Sequence, residues 1–569
     1  MSTSSPLNAE NTPPPINDAG SARPERRVAI NSGLLLVAFS FQAVVSLIMV
    51  GIVARYLGQA GLGRYAYVVS FIELFIALVD MGMNRILVRE VSRDEGEADR
   101  LTSAIWTLRT LLALVVMVIV GIMAAQSGDR EMWLAVMVYY VAQVVFLMGD
   151  VFGSVFQGYQ RMEFQFWGIN IAQVSLLALT LLVVWLNWGL VALFAVRLVS
   201  NGLRLAYLWW SSVSRGYARA SFMPETVRGG LIAVRGSPAV LLTWRRDGKE
   251  AARTAIYELG EKMGAAWQNV VLSWHMLVES LPVGVSLLLR SYIWRAGVVL
   301  TVLWLGQTQG DLVNGVLYGP LRAVQQLRII PAAFAGAMLP VFSNRVGARQ
   351  DEFDSAFAKS LKLFLAISLL IGLAFTFLAD PLVELLLGES IDLSTAAAVL
   401  ALLGWVIVLY FPNWLYGVTL VALGRQKLET LGLLLGTIAG LAVAYLTIPA
   451  YEAMGVVYAI FAAEGVFFIV GTTAMWRHFH WRTLLPSLLR IVLAGALTGV
   501  VFLLGNLLFQ RLQAAGIVPA GTVGAILEVL VVGLVGLAGF AGALILLGTF
   551  DEDEKESIQA MLRLPRRKK

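Results

Sequence analysis

Long apolar runs separated by short polar connections make up most of the chain. A membrane-spanning helix needs about 20 predominantly apolar residues. Fourteen segments fit: 30–53, 65–83, 105–125, 132–156, 166–186, 190–210, 281–305, 316–342, 361–379, 395–421, 428–448, 455–475, 484–508 and 523–547. The pattern predicts an all-α polytopic membrane protein with about 14 transmembrane helices. Residues 1–27, with Pro13-Pro14-Pro15, lack apolar periodicity and are expected to form a disordered tail. The apolar run from Val28 has no small-residue cleavage site after it, so no signal peptide is expected. The long polar stretch 211–280 is expected to be a basic insert. Short strands are predicted at 229–244. An amphipathic helix is predicted at 249–274, with Ile256, Leu259, Met263, Ala266 and Val270 on one face.

The basic residues alternate in density between successive connections. With the N-terminus inside, the inner segments hold Arg23, Arg26 and Arg27, then Arg85, Arg89, Arg93 and Arg100, the basic insert, and a tail ending in Arg566-Arg567-Lys568-Lys569. The outer segments hold only Arg55, Arg64, Arg130 and Arg511. By the positive-inside rule, both termini (1–27 and 550–569) are expected in the cytoplasm, with the chain in the cytoplasmic membrane.

Two short patterns recur six spans apart. Gly158-Tyr-Gln160-Arg161-Met-Glu163 resembles Gly424-Arg-Gln426-Lys427-Leu-Glu429. Leu57-Gly58-Gln59 leading to Gly63-Arg-Tyr65 resembles Leu305-Gly306-Gln307 leading to Gly315-Val-Leu-Tyr318. An even offset preserves orientation. Two six-helix bundles, 28–210 and 281–475, are therefore expected to be related by a pseudo-twofold axis along the membrane normal, with two additional helices at 484–549. That plan suits alternating access around a central cavity.

Composition narrows the chemistry. The chain is 58% hydrophobic and 14% charged, too apolar for an ordinary soluble enzyme. It has no cysteine and three histidines, which removes disulfides, thiolate metal sites and thiol catalysis. No P-loop lysine, HExxH or GxSxG pattern is present, and a non-enzyme without a bound cofactor is expected. The net charge of +6 comes from bases at the cytoplasmic faces, where they meet anionic lipid, so no nucleic-acid partner is expected.

Charged and amide groups inside the spans are candidates for function. An arginine at mid-bilayer costs roughly 2.5–3.5 kcal/mol on insertion scales. Arg197, Arg204, Arg290, Arg295, Arg322 and Arg328 fall within spans and are expected to gather around one wet hollow between the bundles, or to snorkel in the cases of Arg204 and Arg328. Arg197, Asn201 and Arg204 share a helix face, as do Arg322, Gln325 and Gln326, and Ser286, Arg290 and Trp294. Guanidinium groups in a dry cleft suit phosphate or pyrophosphate. Glu73, Asp80 and Asn84 are expected on one face of the second span, and Gln143, Asp150, Ser154 and Gln157 on one face of the fourth. They are candidates for pairing the arginines, binding sugar hydroxyls or holding a coupling proton or sodium ion.

Ala54-Arg55-Tyr56-Leu57-Gly58-Gln59-Ala60-Gly61-Leu62-Gly63-Arg64-Tyr65, followed by Leu78-Val79-Asp80-Met81-Gly82-Met83-Asn84-Arg85, resembles the polysaccharide (oligosaccharide) flippases of the multidrug/oligosaccharidyl-lipid/polysaccharide exporter superfamily. Leu281-Pro282-Val283-Gly284 resembles the start of that family's second bundle. The resemblance implies a carrier of polyprenyl-pyrophosphate-linked glycan for cell-surface polysaccharide biosynthesis, driven by membrane potential or by a proton or sodium gradient. Membrane lipid and the polysaccharide polymerase machinery are the partners it implies. Two relatives fit less well. Lipid II flippases carry an Arg-Asp pair in the first span, and drug exporters, which are cation-coupled, carry acids in the first and tenth. Spans 30–53 and 395–421 contain no acid.

Overall fold

A proline at the first helical position opens the first helix, where its missing N–H costs nothing. The computed structural model describes residues 24–223, 265–331, 350–476 and 481–549. The elements are α1 (Pro24–Asp80), α2 (Met83–Arg93), α3 (Ala98–Ala125), α4 (Arg130–Gly158), α5 (Met162–Leu186), α6 (Gly189–Ser214), α7 (Ala265–Leu305), α8 (Gln307–Gln326), α9 (Gln350–Phe377), α10 (Ala379–Leu387), α11 (Leu393–Ala422), α12 (Gln426–Met475), α13 (Trp481–Ala514) and α14 (Thr522–Leu546). Among the described residues there is no strand. The strands predicted at 229–244, most of the helix predicted at 249–274, and the tails 1–23 and 550–569 lie outside the described residues; residues 24–27, expected in the disordered tail, instead form the first turn of α1.

Eleven of the described helices are long and apolar enough to cross a membrane. Two of these are broken: α1 at Gly58 (φ 67°, ψ −174°) and α12 at Glu452 (φ 49°, ψ −116°). Counting both twice and adding the more polar α8 brings the eleven to fourteen crossings, the expected number. Two boundaries differ from expectation. Helix α7 starts at Ala265 and has 41 residues, about 60 Å at 1.5 Å per residue, so it projects well beyond a core of about 30 Å. Helix α8 starts at Gln307 rather than at 316. Its early polar groups are satisfied inside the protein: Asn314 Nδ2 donates to Val298 O at 2.9 Å, and the Thr301 hydroxyl donates to Asn314 Oδ1 at 2.8 Å.

Helices α4, α5 and α6 pack together against α1, and α7, α9, α11 and α12 form a second group. Helices α13 and α14 pack on each other and on α9 and α10, where Phe377 and Phe502 stack at 5.7 Å. Their remaining faces expose Leu489, Leu493, Leu497, Leu504, Leu530 and Leu534, as a lipid-facing surface would. Helix α11 begins where Asp392 caps it. The Asp392 carboxylate accepts from the Thr395 hydroxyl at 2.6 Å, the Ser394 hydroxyl at 2.7 Å and the Thr395 N–H at 3.2 Å, and these bonds hold it below the usual carboxylate range.

The two recurring patterns fare differently. Gly306 (φ 81°, ψ 167°) ends α7 in the same unusual conformation as Gly58. The helices that follow cross in a matched way: a Cβ on Gly63 would lie 1.7 Å from Asp311 O, and one on Gly315 would lie 2.1 Å from Gln59 O. Gly63 and Asp311 each stand five residues after their broken glycine, as a twofold relation requires; the glycines Gly58 and Gly306 therefore correspond, but Gly315 and Tyr318 lie further along their helix than Gly63 and Tyr65 and do not superpose on them. The Gly158–Glu163 pattern does not superpose by its letters. Its left-handed residue is Gln160 (φ 56°), whereas the second turn uses Gly424 (φ 70°). The following N–H closes both turns identically, Arg161 to Phe156 O and Arg425 to Leu420 O, each at 2.8 Å. The structural match is therefore offset by two residues, and the shared letters take different partners: Glu163 pairs with Arg161, and Glu429 with Arg290.

Candidate functional site

The in-span arginines are positioned by the faces of three helices. On α6, Arg197, Asn201 and Arg204 point toward α4. Asn201 Nδ2 donates to Ala142 O at 2.8 Å. Arg204 bonds Asp150 and stacks over Phe146 at 4.5 Å, 3% exposed. Arg197 bonds Tyr65, near Tyr139 and Tyr318. On α7, Ser286, Arg290 and Trp294 all face α12, as their common stripe predicts. Ser286 Oγ lies 3.1 Å from Thr430 Oγ1, Arg290 Nη2 donates to Glu429 Oε1 at 3.3 Å, and Trp294 Nε1 donates to Glu464 Oε1 at 3.0 Å. Arg295 turns the other way and bonds Glu73 on α1, across the two helix groups. After α8, Arg328 Nε donates to Tyr410 OH at 2.7 Å, and within α8 Arg322 Nε donates to Ser46 Oγ at 3.0 Å.

These arginines do not share one hollow. Helix α7 separates two cavities of about 230 Å³ each. The first is lined by Arg85, Ser286, Arg290, Trp414, Gln426 and Glu429. The second is lined by Glu73, Asp80, Gln143, Ser291 and Arg295. Arg322 and Gln325 border only a narrow cleft of about 10 Å³ beside Glu73, room for roughly one water. Arg204, Asn201 and Asp150 are taken up in the contact between α4 and α6. The gathering expected from sequence is thus divided, because three of its guanidinium groups each find a carboxylate on a neighbouring helix: Arg204, Arg290 and Arg295.

Asn84 is also displaced from its predicted place. The expected common face with Glu73 and Asp80 requires an unbroken helix, but Met81 (φ 45°) and Gly82 (φ 71°) end α1 at Asp80. Asn84 belongs to α2, and its Oδ1 is buried without a partner.

Three residues were missed in the sequence. Arg109 is 0% exposed, and its Nη1 donates to Leu147 O at 2.8 Å while Nη2 bonds Asp80. It stands inside the predicted 105–125 span, so the signal was present. In the sequence Arg85 reads only as an inner charge; it is exposed, lines the first cavity, and forms no ion pair among the described residues. Glu464, 2% exposed, accepts from Trp294 Nε1 at 3.0 Å and from Asn413 Nδ2 at 2.8 Å.

The charge in the two cavities differs. The first has two guanidinium groups, Arg85 and Arg290, against one carboxylate, Glu429. The second has Glu73 and Asp80 against Arg295, with Asp80 balanced by Arg109 behind it. The first cavity therefore has surplus positive charge, on an arginine from α2 facing one from α7. Trp414 stands 5.3 Å from the Arg290 guanidinium and offers a ring face beside it.

The α1 side of the molecule meets α7 and α8 at both ends of the space around these cavities. At the end carrying Gly58, the crossed glycines are reinforced by Gln59 Nε2 donating to Leu312 O at 3.0 Å and by Arg64 with Asp311 at 3.2 Å. At the end carrying α2, a Cβ on Gly284 would lie 2.7 Å from Met81 O, and Arg89 pairs with Glu279 at 2.5 Å.

Comparison with known proteins places this architecture. Residues 28–231 match the family model described as polysaccharide biosynthesis protein, and residues 299–446 match the MatE model. No curated protein matches the chain. Among solved structures, the chain is similar to the lipid II flippase MurJ in an inward closed conformation (TM-score 0.61, 13% identity, covering 90% of this chain and 98% of that one). It is also similar to an inward-facing multidrug resistance MATE family transporter (TM-score 0.55, 15% identity, 79% and 98% covered). A third likeness is a transporter from Pyrococcus furiosus described by the reverse polarity of its binding pocket (TM-score 0.52, 15% identity, 80% and 96% covered). At these identities the likeness is one of fold.

Proposed function

We propose that this chain is a membrane transporter of the multidrug/oligosaccharidyl-lipid/polysaccharide exporter superfamily, a reading supported by the two partial family-model matches and the likeness of fold, and that it carries a polyprenyl-pyrophosphate-linked oligosaccharide across the cytoplasmic membrane by alternating access. The observation that carries the reading is the surplus positive charge of Arg85 and Arg290 over Glu429 in a cavity built by both helix groups. A pyrophosphate has the charge and the paired oxygens that two guanidinium groups bind. The match of residues 28–231 to the polysaccharide biosynthesis model supports a glycan cargo. A drug exporter for cations fits less well, since a cationic cargo would meet the same two arginines.

In this reading the α2 end faces the cytoplasm and the Gly58 end faces outward, following the distribution of Lys and Arg. The head group enters between α2 and α7, while the polyprenyl chain stays in lipid. Moving two negative charges outward from an inside-negative membrane gains about 2.3 kcal/mol per charge per 100 mV. The potential can then drive part of the cycle without ATP.

Export of surface glycan by cells dependent on this protein tests the reading. Arg290→Ala should abolish export, whereas Arg93→Ala, whose side chain is 67% exposed, should leave it intact at equal protein levels. Equal export by both variants would remove Arg290 from the cargo site.

A further inference from the structure

Near the Gly58 end, a third cavity lies where α1 meets α10, and the proposed cargo path does not use it. It measures about 440 Å³, larger than either of the two above. Leu47, Ile48 and Ile52 of α1 and Leu382 and Leu385 of α10 make its walls apolar, and Arg55 is the one charged residue lining it. The α1 wall faces outward from the bundle: Ile48 is 46% exposed, and Val44 beside it 55%. From Leu47 to Arg55 the groove follows about 12 Å of helix axis at 1.5 Å per residue. That is close to the depth of one leaflet, half of a hydrocarbon core of about 30 Å.

Arg55 is exposed and forms no ion pair among the described residues. Its bonds go to backbone carbonyls. Nη1 donates to Gly51 O at 3.1 Å and to Leu386 O at 3.4 Å, and Nη2 donates to Leu385 O at 3.0 Å. The carbonyls of Leu385 and Leu386 belong to the last turn of α10, and a helix C-terminus carries only about half a negative charge. Capping α10 therefore leaves much of the guanidinium charge unbalanced. Nε keeps no acceptor among the described residues, and it shares with Nη2 one edge of the planar group. Such an edge takes two oxygens of a phosphate. Gly388 keeps the edge open: its backbone is left-handed (φ 74°), and a Cβ there would lie 3.0 Å from Nε. Arg64, the other arginine near this end, is already paired with Asp311.

We infer that the groove between α1 and α10 binds one anionic phospholipid of the outer leaflet, its phosphate on Arg55 and an acyl chain along Leu47–Ile52, and that this lipid clamps the Gly58 end shut. The site stands independently of the cargo; only the leaflet rests on the orientation given above. A diacyl lipid suits the length of the groove, whereas a polyprenyl chain, several times longer, would lie mostly outside it. The clamp follows from where the two walls belong. Beside the groove, Ser390 Oγ donates to Ala54 O at 3.4 Å and Asp392 N–H to Gln59 Oε1 at 3.1 Å, so the segment after α10 is tied to α1 only while this end is closed. Opening draws α10 away from α1, splits the groove and releases the lipid.

Equilibrium binding of fluorescent phosphatidylglycerol to the full chain in detergent micelles, against phosphatidylcholine with the same chains, tests the site. The wild type should prefer phosphatidylglycerol about fivefold, the factor expected of one basic residue at a lipid surface. Arg55→Gln keeps N–H groups for the α10 carbonyls but loses the charge, and should bind both lipids alike. Arg130→Gln, at the start of α4 and away from the groove, should keep the preference. Ile48→Trp fills the groove from an exposed position and should weaken both lipids. A preference that survives Arg55→Gln or vanishes in Arg130→Gln, or unchanged binding in Ile48→Trp, overturns the site. Displacement of the probe by undecaprenyl phosphate at lower concentration than by unlabelled phosphatidylglycerol would give the groove to a polyprenyl lipid and overturn it as well. In nanodiscs, exchanging phosphatidylcholine for phosphatidylglycerol should lower maleimide labelling of a Val313→Cys reporter between α1 and α8, and Arg55→Gln should remove that effect. Labelling indifferent to the lipid overturns the clamp and leaves the binding result standing.

Discussion

Arg109→Ala is expected to lower the melting temperature of the purified protein more than any other single arginine truncation. Breaking a buried ion pair costs about 3–5 kcal/mol, because the surviving charge is left in a poor solvent. The cost here falls near the lower figure, about 3 kcal/mol, since the Asp80 side chain keeps 29% exposure and reaches the second cavity. Two acceptors are abandoned at once, Asp80 and the Leu147 carbonyl. The double variant Arg109→Met with Asp80→Asn removes the orphaned charge and should recover most of the loss. Thermal unfolding in detergent, with Arg93→Ala as a neutral comparison, checks this. An Arg109→Ala protein that melts with the wild type, or a double variant that melts below the single one, would show that the pair contributes no such constraint.

The second large effect is expected at the crossed glycines. A Cβ on Gly63 would lie 1.7 Å from Asp311 O and 2.5 Å from its carbonyl carbon. Both are backbone atoms, so no rotamer change relieves the clash and the two helices must separate. Overpacking of this kind costs about 1–3 kcal/mol. That is enough to shift the equilibrium by about one to two powers of ten against the conformation closed at the Gly58 end. Gly63→Ala should therefore expose the seam between α1 and α8. The chain has no cysteine, so a single Val313→Cys reporter, at a position 4% exposed, reads the seam without background. Its labelling by a membrane-impermeant maleimide should rise strongly in Gly63→Ala. It should stay unchanged in Gly202→Ala, where an added Cβ meets nothing within 4 Å. Equal labelling in all three backgrounds would contradict a closure held by the glycine crossing.

How far the sequence carried the fold follows from which forces act locally. The number of crossings was legible because apolar runs near 20 residues answer to bilayer thickness, whatever they pack against. The break at Gly58 and its counterpart at Gly306 were legible because a left-handed backbone selects glycine. The Gly158 and Gly424 patterns misled by two residues, since Gln160 takes the left-handed place that glycine fills in the second turn. The start of α8 was hidden by Gln307, Gln309, Asp311 and Asn314, whose polarity reads as a loop until Thr301 and Arg64 are known to meet them. The stripe of Ser286, Arg290 and Trp294 was correct, because i, i+4 spacing fixes a face. Its partners on α12 were not legible. Arg295 and Glu73 stand 222 positions apart in the chain, and periodicity carries no information about which helices become neighbours. Pairing across helices is what divided the expected common hollow in two and left Arg85, a residue outside the predicted spans, as the surplus charge.

In the proposed function Arg85 and Arg290 together hold an anionic lipid head group between the two helix groups. Equilibrium binding of undecaprenyl pyrophosphate to the protein in nanodiscs, with uncharged undecaprenol as the reference, tests this. Losing one charge-assisted contact costs about 1.5–3 kcal/mol, or about tenfold or more in affinity. Arg85→Ala should weaken the pyrophosphate by that factor and leave undecaprenol unaffected. Wild-type affinity for the pyrophosphate in Arg85→Ala, or equal weakening for both lipids, would contradict it.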